Sequence, residues 1–444
     1  MQRRNFLKGL AGSVFGAALP VSGSWAQDRY AKYRGQKLTV SIPQQPHYDA
    51  MVKLLPDFTR ETGIQVDIDR QPMQRMKFRQ LQEMAKPQGD LDLICYVVMW
   101  KTEYVKKKLI RELAPFLANP ALADPSYDLK DIVPRYLENL GLVGGPKGYL
   151  PGPGAKLYGL PYGAETSILA YRRDIFEKHK LQAPRTYDEL HKLLPILKDR
   201  EGIGALTSRG QQGHQCVHAW LLHLNPLGGK VFDARWRPVF NNEAGVKALA
   251  LLKDIVDTGP AGIPEFGQFE MVNSFLQGNA AMYLDATSIF GAVQNPAAST
   301  IGGKVSYAIH PKGTRLASQS GGFGLAIPAN ARNPEAAFLL MQWLTSKAQD
   351  KAVSRLGGSP TRLSTIADAD MVRQFPEYIT LREQLKYADP DWRPIIAEWD
   401  DINVKLLGVA ISEALKGRKT PQQALDDAVP KVAELMKSGG YLKT

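Results

Sequence analysis

Leu157–Phe176, LYGLPYGAETSILAYRRDIF, is the stretch from which the organisation of the chain can be read. Gly159 and Gly163 permit unusual backbone angles and Pro161 fixes one, so the run opens on a bend. SILAY is apolar and strand-favouring, and the charged residues after it lead into a helix. A buried strand entered through a Gly/Pro bend suits a chain that leaves one globular lobe and begins a second. Glu165, Thr166 and Ser167 lie between the bend and the apolar run. They either solvate a strand start or face a cleft between two lobes, and the remainder of the chain discriminates between these.

A length of 444 residues exceeds one ordinary core, so two domains are expected. The composition, 44% apolar and 23% charged, is that of a globular protein, without low-complexity tracts or blocks of like charge. Met1–Ala26 stands apart: a basic start, a small-and-apolar middle broken by Pro20, then Ser24-Trp25-Ala26 as a cleavage site. Arg3-Arg4-Asn5-Phe6-Leu7-Lys8 resembles the twin-arginine export motif, with Gln2 where Ser or Thr is usual. The pattern predicts export, cleavage after Ala26 and a mature protein free in a periplasm. No later segment is long and apolar enough to span a bilayer. The net charge of +12 is scattered, and only Lys106-Lys107-Lys108 cluster, as the wet face of a helix would. No nucleic-acid partner is implied. Cys95 and Cys216 lie far apart and are expected reduced and partly buried.

Along the chain, Lys37–Ile42, Ile64–Ile68 and Leu91–Tyr96 read as strands, with helices over Tyr48–Thr62 and roughly Arg75–Ala85 between them. This β-α-β-α-β order signals an open sheet with helices on its faces, whose ligands bind at the carboxyl ends of strands. Those ends carry Gln44 and Gln45 after the first strand and Tyr96 to Trp100 after the third. Pro115–Lys156 reads as an irregular path with a short helix near Ile132–Asn139. Helices follow over Thr186–Leu197, Cys216–Leu224, Asn242–Val256, Met271–Gln277 and Pro334–Thr345. Strands are expected at Gly202–Leu206, Ala280–Leu284, Val305–Ile309 and Phe323–Ile327, and long tail helices around Ile395–Leu415 and Pro421–Met436.

YGLPYGAETSILAYRRDIFEKHKLQAPRTYDEL resembles the lobe-crossing strand and following helix of extracytoplasmic solute-binding proteins of carbohydrate ABC importers, the maltose-binding-protein-like type. FLQGNAAMYLDATS, GGFGLAIPANARNPEAAFLLMQWLTS, GGSPTR, RPIIAEWDDI and LKGRKTPQQALDDA continue the likeness in the family's order, over essentially all of the mature chain. RWRPVFNN, DTGPAGIPEFGQFE and YLDATSIFGAVQNPAAST are most similar to the branch that captures polyols and monosaccharides. The resemblance implies a two-lobe α/β periplasmic-binding-protein fold (type II) with mixed sheets. It places three hinge crossings near Ala164–Ser167, Gly321–Gly324 and Ser359–Leu363. The first lobe would comprise 27–165 and 325–361, the second 166–322 and 362–444. A small carbohydrate or polyol is the expected ligand and the importer's permease the expected partner. The protein is expected to act as a monomer with no cofactor.

A neutral polyhydroxylated ligand needs strong hydrogen-bonding partners for its hydroxyls and a flat aromatic surface for its C–H faces. Glu165, Arg209 and Asp285 are the candidates for the first role, with Gln44 and Gln45 from the other lobe. Trp100, Trp399 and Tyr283 are the aromatic candidates, and Gly322, Phe323 and Arg362 come from the hinge segments. Trp220 reads as core and Trp236 as packed under a surface loop. His214 and His218 have the i, i+4 spacing of a helical metal pair, but no acidic residue joins them locally. His214 is therefore expected to lean toward the ligand, while His218 and His223 pack or face solvent. Glu165 and Asp285 also admit an acid/base reading for glycoside cleavage, but no nucleophile motif or phosphate loop accompanies them. A binding protein that presents its closed form to a membrane kinase shares every residue named here.

Overall fold

The computed structural model describes residues 29–442, so the export signal expected at Met1–Ala26 lies outside the described residues. Strands β1 (Lys37–Pro43), β2 (Gln65–Gln71) and β3 (Leu93–Val97) are parallel and begin the sheet in the order β2-β1-β3. The Pro46–Thr62 helix joins β1 to β2; Pro occupies its first position, and Gly63 ends it in the left-handed region with φ 73°. Met51, Leu54, Leu55 and Phe58 form its buried stripe, whereas Val52 faces outward. Met73–Met84 is the next helix of the βαβ succession. A short pair, β4 (Leu142–Val143) and β5 (Lys156–Leu157), lies off this sheet.

The sheet does not end with the first lobe. β6 (Leu160–Arg172) is 13 residues long and changes partners half-way. Its first half pairs with β10 (Ser318–Ala326), up to Thr166↔Ser320. From Ser167 it pairs instead with β8 (Ala280–Ala286), and from Leu169 also with β9 (Val305–Ala308). β7 (Gly204–Thr207) lies parallel to β8, and β11 (Ala388–Asp389) parallel to the start of β10. β10 likewise leaves β11 and runs on to pair with β3. Two strands therefore carry the chain between the halves of one nine-stranded sheet, where the bend in the sequence and the Gly321-Gly322 pair place them. A Cβ on Gly322, at φ 91°, would lie 2.4 Å from the carbonyl oxygen of Gly163, itself at φ 75°. Only glycine fits at so close an approach of two backbones.

One helix of the second half is buried over most of its length. His214–Leu224 is buried continuously from Cys216 onward and packs against Glu243–Thr258 and Gly408–Leu415. Trp220 donates from its indole nitrogen to the Gly245 carbonyl at 3.0 Å, a core role. Cys95 and Cys216 are buried free thiols. The tail helix expected around Ile395–Leu415 begins at Trp399, after the irregular stretch that holds Pro390 and Pro394, and runs unbroken to Leu415, π-helical over Asp401–Leu407 and α-helical over Gly408–Leu415. π-turns of this kind often reposition side chains at functional sites. Among the described residues no helix is long and apolar enough to cross a membrane.

Candidate functional site

The place where β6 exchanges β10 for β8 is where charged side chains converge. Glu165 is the register partner of Gly321, and three residues further along the strand Ile168 is the partner of Asp285. Asp285 is 1% exposed near the end of β8. Arg209, four percent exposed just after β7, donates to both its carboxylate oxygens, from Nε at 2.8 Å and from Nη2 at 2.6 Å. Ala286 N–H donates to the same carboxylate at 2.6 Å, and Arg209 also donates to Gln215 at 3.2 Å. A bidentate pair of this kind recovers much of the desolvation that burial costs each partner. Burial alone would raise the Asp285 carboxyl, but Arg209 overrides it and holds the group well below the usual carboxylate range.

Four residues outside the expected set complete the cluster. His218 Nε2 lies 3.5 Å from Asp285, and its ring meets Trp392 edge-on at 5.3 Å. Trp392 donates from its indole nitrogen to the Ser320 carbonyl of β10 at 2.8 Å. The Arg393 guanidinium stands 4.5 Å from the Trp392 ring centroid. Asn403, on the π-turn, is hydrogen-bonded to His214 Nδ1 at 3.0 Å, and His214 meets His218 at 5.7 Å. His218 therefore belongs to the cluster rather than packing elsewhere or facing solvent. Burial, reinforced by Arg209, pushes its imidazole down to about 4, so it is neutral at pH 7. Burial pushes Glu165 up to about 7, with Arg209 and Arg393 opposing and Asp285 reinforcing the shift. The cluster thus combines fixed charge, neutral imidazoles that can donate or accept, and a carboxyl group poised between its two states.

Trp392 also lines a cavity of about 460 Å³, shared with Tyr149, Asn225, Phe232 and Trp236 among others. That is within the range of about 300–1,000 Å³ typical of small-molecule sites. Trp236, at φ 63°, packs against Phe232, Tyr149 and Tyr441.

The remaining expected residues are placed differently. Trp100 is buried beneath Lys77, whose ammonium lies 5.7 Å from its ring centroid. Lys77 pairs with Glu103 at 2.9 Å and with Asp400, beside the fully buried Trp399. The Trp399 indole nitrogen is buried with no partner. Gln44 is exposed and Gln45 half-buried at the start of the Pro46–Thr62 helix, and the cluster receives no hydrogen bond from either. Phe323 packs edge-on against Tyr48 at 5.7 Å, inside the first half.

Two expectations are corrected. Tyr283 is no stacking surface: it is wholly buried, its hydroxyl donates to the Ala286 carbonyl at 3.0 Å, and its ring lies against Phe275. A central strand flanked by helices buries both of its faces, so the aromatic side of β8 is core. Arg362 does not reach the cluster. It is fully buried and donates to the carbonyls of Thr345, Asp128 and Tyr127 and to Asp131. Its donors are consumed in tying the third crossing to the Tyr127–Asp131 loop.

Residues 43–351 match the model of the bacterial extracellular solute-binding protein family. The chain belongs to that family. A probable amino-acid ABC transporter periplasmic-binding protein of Sinorhizobium fredii is 27% identical over 463 aligned positions that span all of both chains. The mannitol-binding protein of Pseudomonas aeruginosa is 30% identical over 355, covering 74% of this chain and 78% of the relative. Among solved structures, an ABC transporter solute-binding protein of Agrobacterium radiobacter in complex with ribitol superposes with a TM-score of 0.81. That pair shares 27% identity and covers 90% of this chain and 99% of the other. The type II two-lobe fold follows from these likenesses.

Arg393, Trp392 and Asn403 are not singled out by residue type or spacing: the first two precede the helix expected around Ile395–Leu415, and Asn403 lies inside it as an ordinary polar position. Asp391-Trp392-Arg393-Pro394 did carry a signal, since Pro394 restricts the residue before it to extended backbone and so keeps Arg393 out of the helix.

Proposed function

We propose that this protein is the periplasmic substrate-binding component of an ABC transporter, capturing a small polyol or carbohydrate between its lobes for delivery to the membrane permease. One observation carries the reading. The Asp285–Arg209 pair, His218, His214 and Glu165 meet at the partner exchange of the crossing strand β6, where groups from both lobes can contact one ligand. Hydroxyl groups match this mixture of fixed charges and neutral imidazoles, and Trp392 offers an indole against a C–H face. The mannitol- and ribitol-binding relatives support a polyol as the ligand class.

The lobes are assigned as 27–165 with 325–361, and 166–322 with 362–444. Export would remove Met1–Ala26, so periplasmic material should begin at Gln27. The protein acts as a monomer whose closed form is stabilised by ligand contacts to both lobes. A thermal-shift screen across polyols, monosaccharides, disaccharides and amino acids tests this. A ligand at a hundred times its dissociation constant should add about 2.7 kcal/mol of stability. A screen in which only amino acids stabilise the protein would replace the polyol assignment with the one the Sinorhizobium relative's name suggests.

A further inference from the structure

Charge pairing at the site is unequal. Asp285 is consumed by Arg209, and Asp400 is held by Lys77. Arg393 is 4% exposed, its Nε is buried with no hydrogen-bond partner, and it joins none of the ion pairs among the described residues. The other arginine of the cluster is satisfied on both edges, so the difference is not one of burial alone. A guanidinium offers five donors in a fixed fork and stays charged, so burying it unpaired is costly unless something else completes it.

The position of that fork indicates what completes it. Arg393 Nη2 would lie 3.3 Å from a Cβ built on Gly321. Gly321 is the β10 residue paired with Glu165, so the guanidinium stands over the crossing itself, with no side chain beneath it. Its other face is covered by Trp392, which orients the plane. Glu165 is the carboxylate facing this position, yet it lies outside ion-pair distance, with no Glu165–Arg393 contact within 4.0 Å. A planar fork that is desolvated, stacked on Trp392 and left without a partner at Nε has the donor set that receives a carboxylate bidentately.

We infer that the ligand carries a carboxylate, received by Arg393, as in an aldonate rather than the corresponding neutral polyol. This rests on the polyol reading of the same site and narrows it. A hydroxyl placed there would satisfy some donors but leave the cation uncompensated, whereas a carboxylate satisfies both. Glu165 and the Asp285–Arg209 pair would then read the hydroxyls along the rest of the chain. An α-amino acid presents the same carboxylate, so the shared chemistry is the anionic group, and the two sources need separate arms.

Calorimetry with matched pairs separates the outcomes: D-mannitol against D-mannonate, D-glucitol against D-gluconate, and a panel of α-amino acids. The aldonate is expected to bind at least about tenfold more tightly than its hexitol. In Arg393→Gln that preference should vanish, with aldonate affinity falling far more than hexitol affinity, and Arg393→Lys should restore part of it. Equal or tighter binding of the neutral hexitol by the wild-type protein would overturn the carboxylate assignment while leaving the polyol reading intact. Binding of neither hexitols nor aldonates would sink both, unless an amino acid binds in an Arg393-dependent manner. That last result would support the carboxylate and overturn the polyhydroxyl part. The wild-type comparison stands even if an Arg393 variant fails to fold.

Discussion

Arg362 and Arg393 are both buried arginines in the last third of the chain, and they differ in almost every other respect. Arg362 donates to three backbone carbonyls and to Asp131, and its guanidinium sits 4.7 Å from the Tyr127 ring centroid. Arg393 has an aromatic neighbour too, but its Nε finds no partner. Equal burial therefore conceals opposite roles. A guanidinium whose donors are all used locks two segments together, whereas one held open beside a strand crossing is a recognition group. Burial pushes Arg393 down to about 9, which leaves it charged at neutral pH, while Glu165 opposes the shift.

The sharpest break of this comparison is Arg362→Met. It strips Asp131 of its cation and leaves the buried Thr345 and Tyr127 carbonyls unbonded, while the Asp128 carbonyl keeps the Asp131 N–H, so unfolding free energy should fall by about 3–5 kcal/mol in denaturant titration. A loss below about 1 kcal/mol would mean the third crossing is held by something else.

A second test uses pH. The folded-state value of Glu165, about 7, lies above its ordinary 4.5, so in that window the folded protein binds the extra proton. This group's contribution is fully present below pH 4.5 and is lost as pH rises through 7. Glu165→Gln should thus match wild type near pH 4.5 and exceed it by about 1–3 kcal/mol above pH 7. The buried histidines act in the opposite sense. Burial lowers His47 and His310 to about 3 and His218 and His223 to about 4, from an ordinary 6.5. Their contribution is complete above pH 6.5 and is lost as pH falls toward 4. Both proteins should therefore weaken in acid, the variant more steeply. Parallel pH profiles would show that the Glu165 carboxyl is solvated rather than buried against the cluster.

Arg393→Met, by contrast with Arg362→Met, should change stability by no more than about 1 kcal/mol, because an unpaired buried cation is exchanged for an apolar chain of similar length. A loss matching that of Arg362→Met would collapse the distinction between the two arginines. The smallest effect is expected at Lys77, which links Asp400 to the helix over Trp100. Since the Asp400 side chain is 41% exposed, Lys77→Met should cost about 0.5–1 kcal/mol, less at high salt. Its radius of gyration without ligand, by small-angle scattering, should rise if that bridge helps to hold the halves together.

The sequence alone determined the alternation of strands and helices, the bend before SILAY and the glycine pair that lets a second strand cross. These are legible because they are local: apolar periodicity and the conformational freedom of glycine act within a few residues. Apolar spacing likewise predicts the tail helix around Ile395–Leu415 but not the π-helical segment inside it, which no local period marks. Glu165, Arg209, Asp285 and His214 were named from their places at bends, strand ends and a helix start, and the fold brings them to one cluster. What only the tertiary structure decided was which charge is spent on which partner. Asp285 and Arg209 are 76 residues apart, and Arg362 finds Tyr127 at a separation of 235. Whether an arginine is a solvated surface group, a strut or an open fork depends on loops arriving from elsewhere in the chain. Ion pairing and desolvation are set by distance in space, and sequence spacing carries no trace of it.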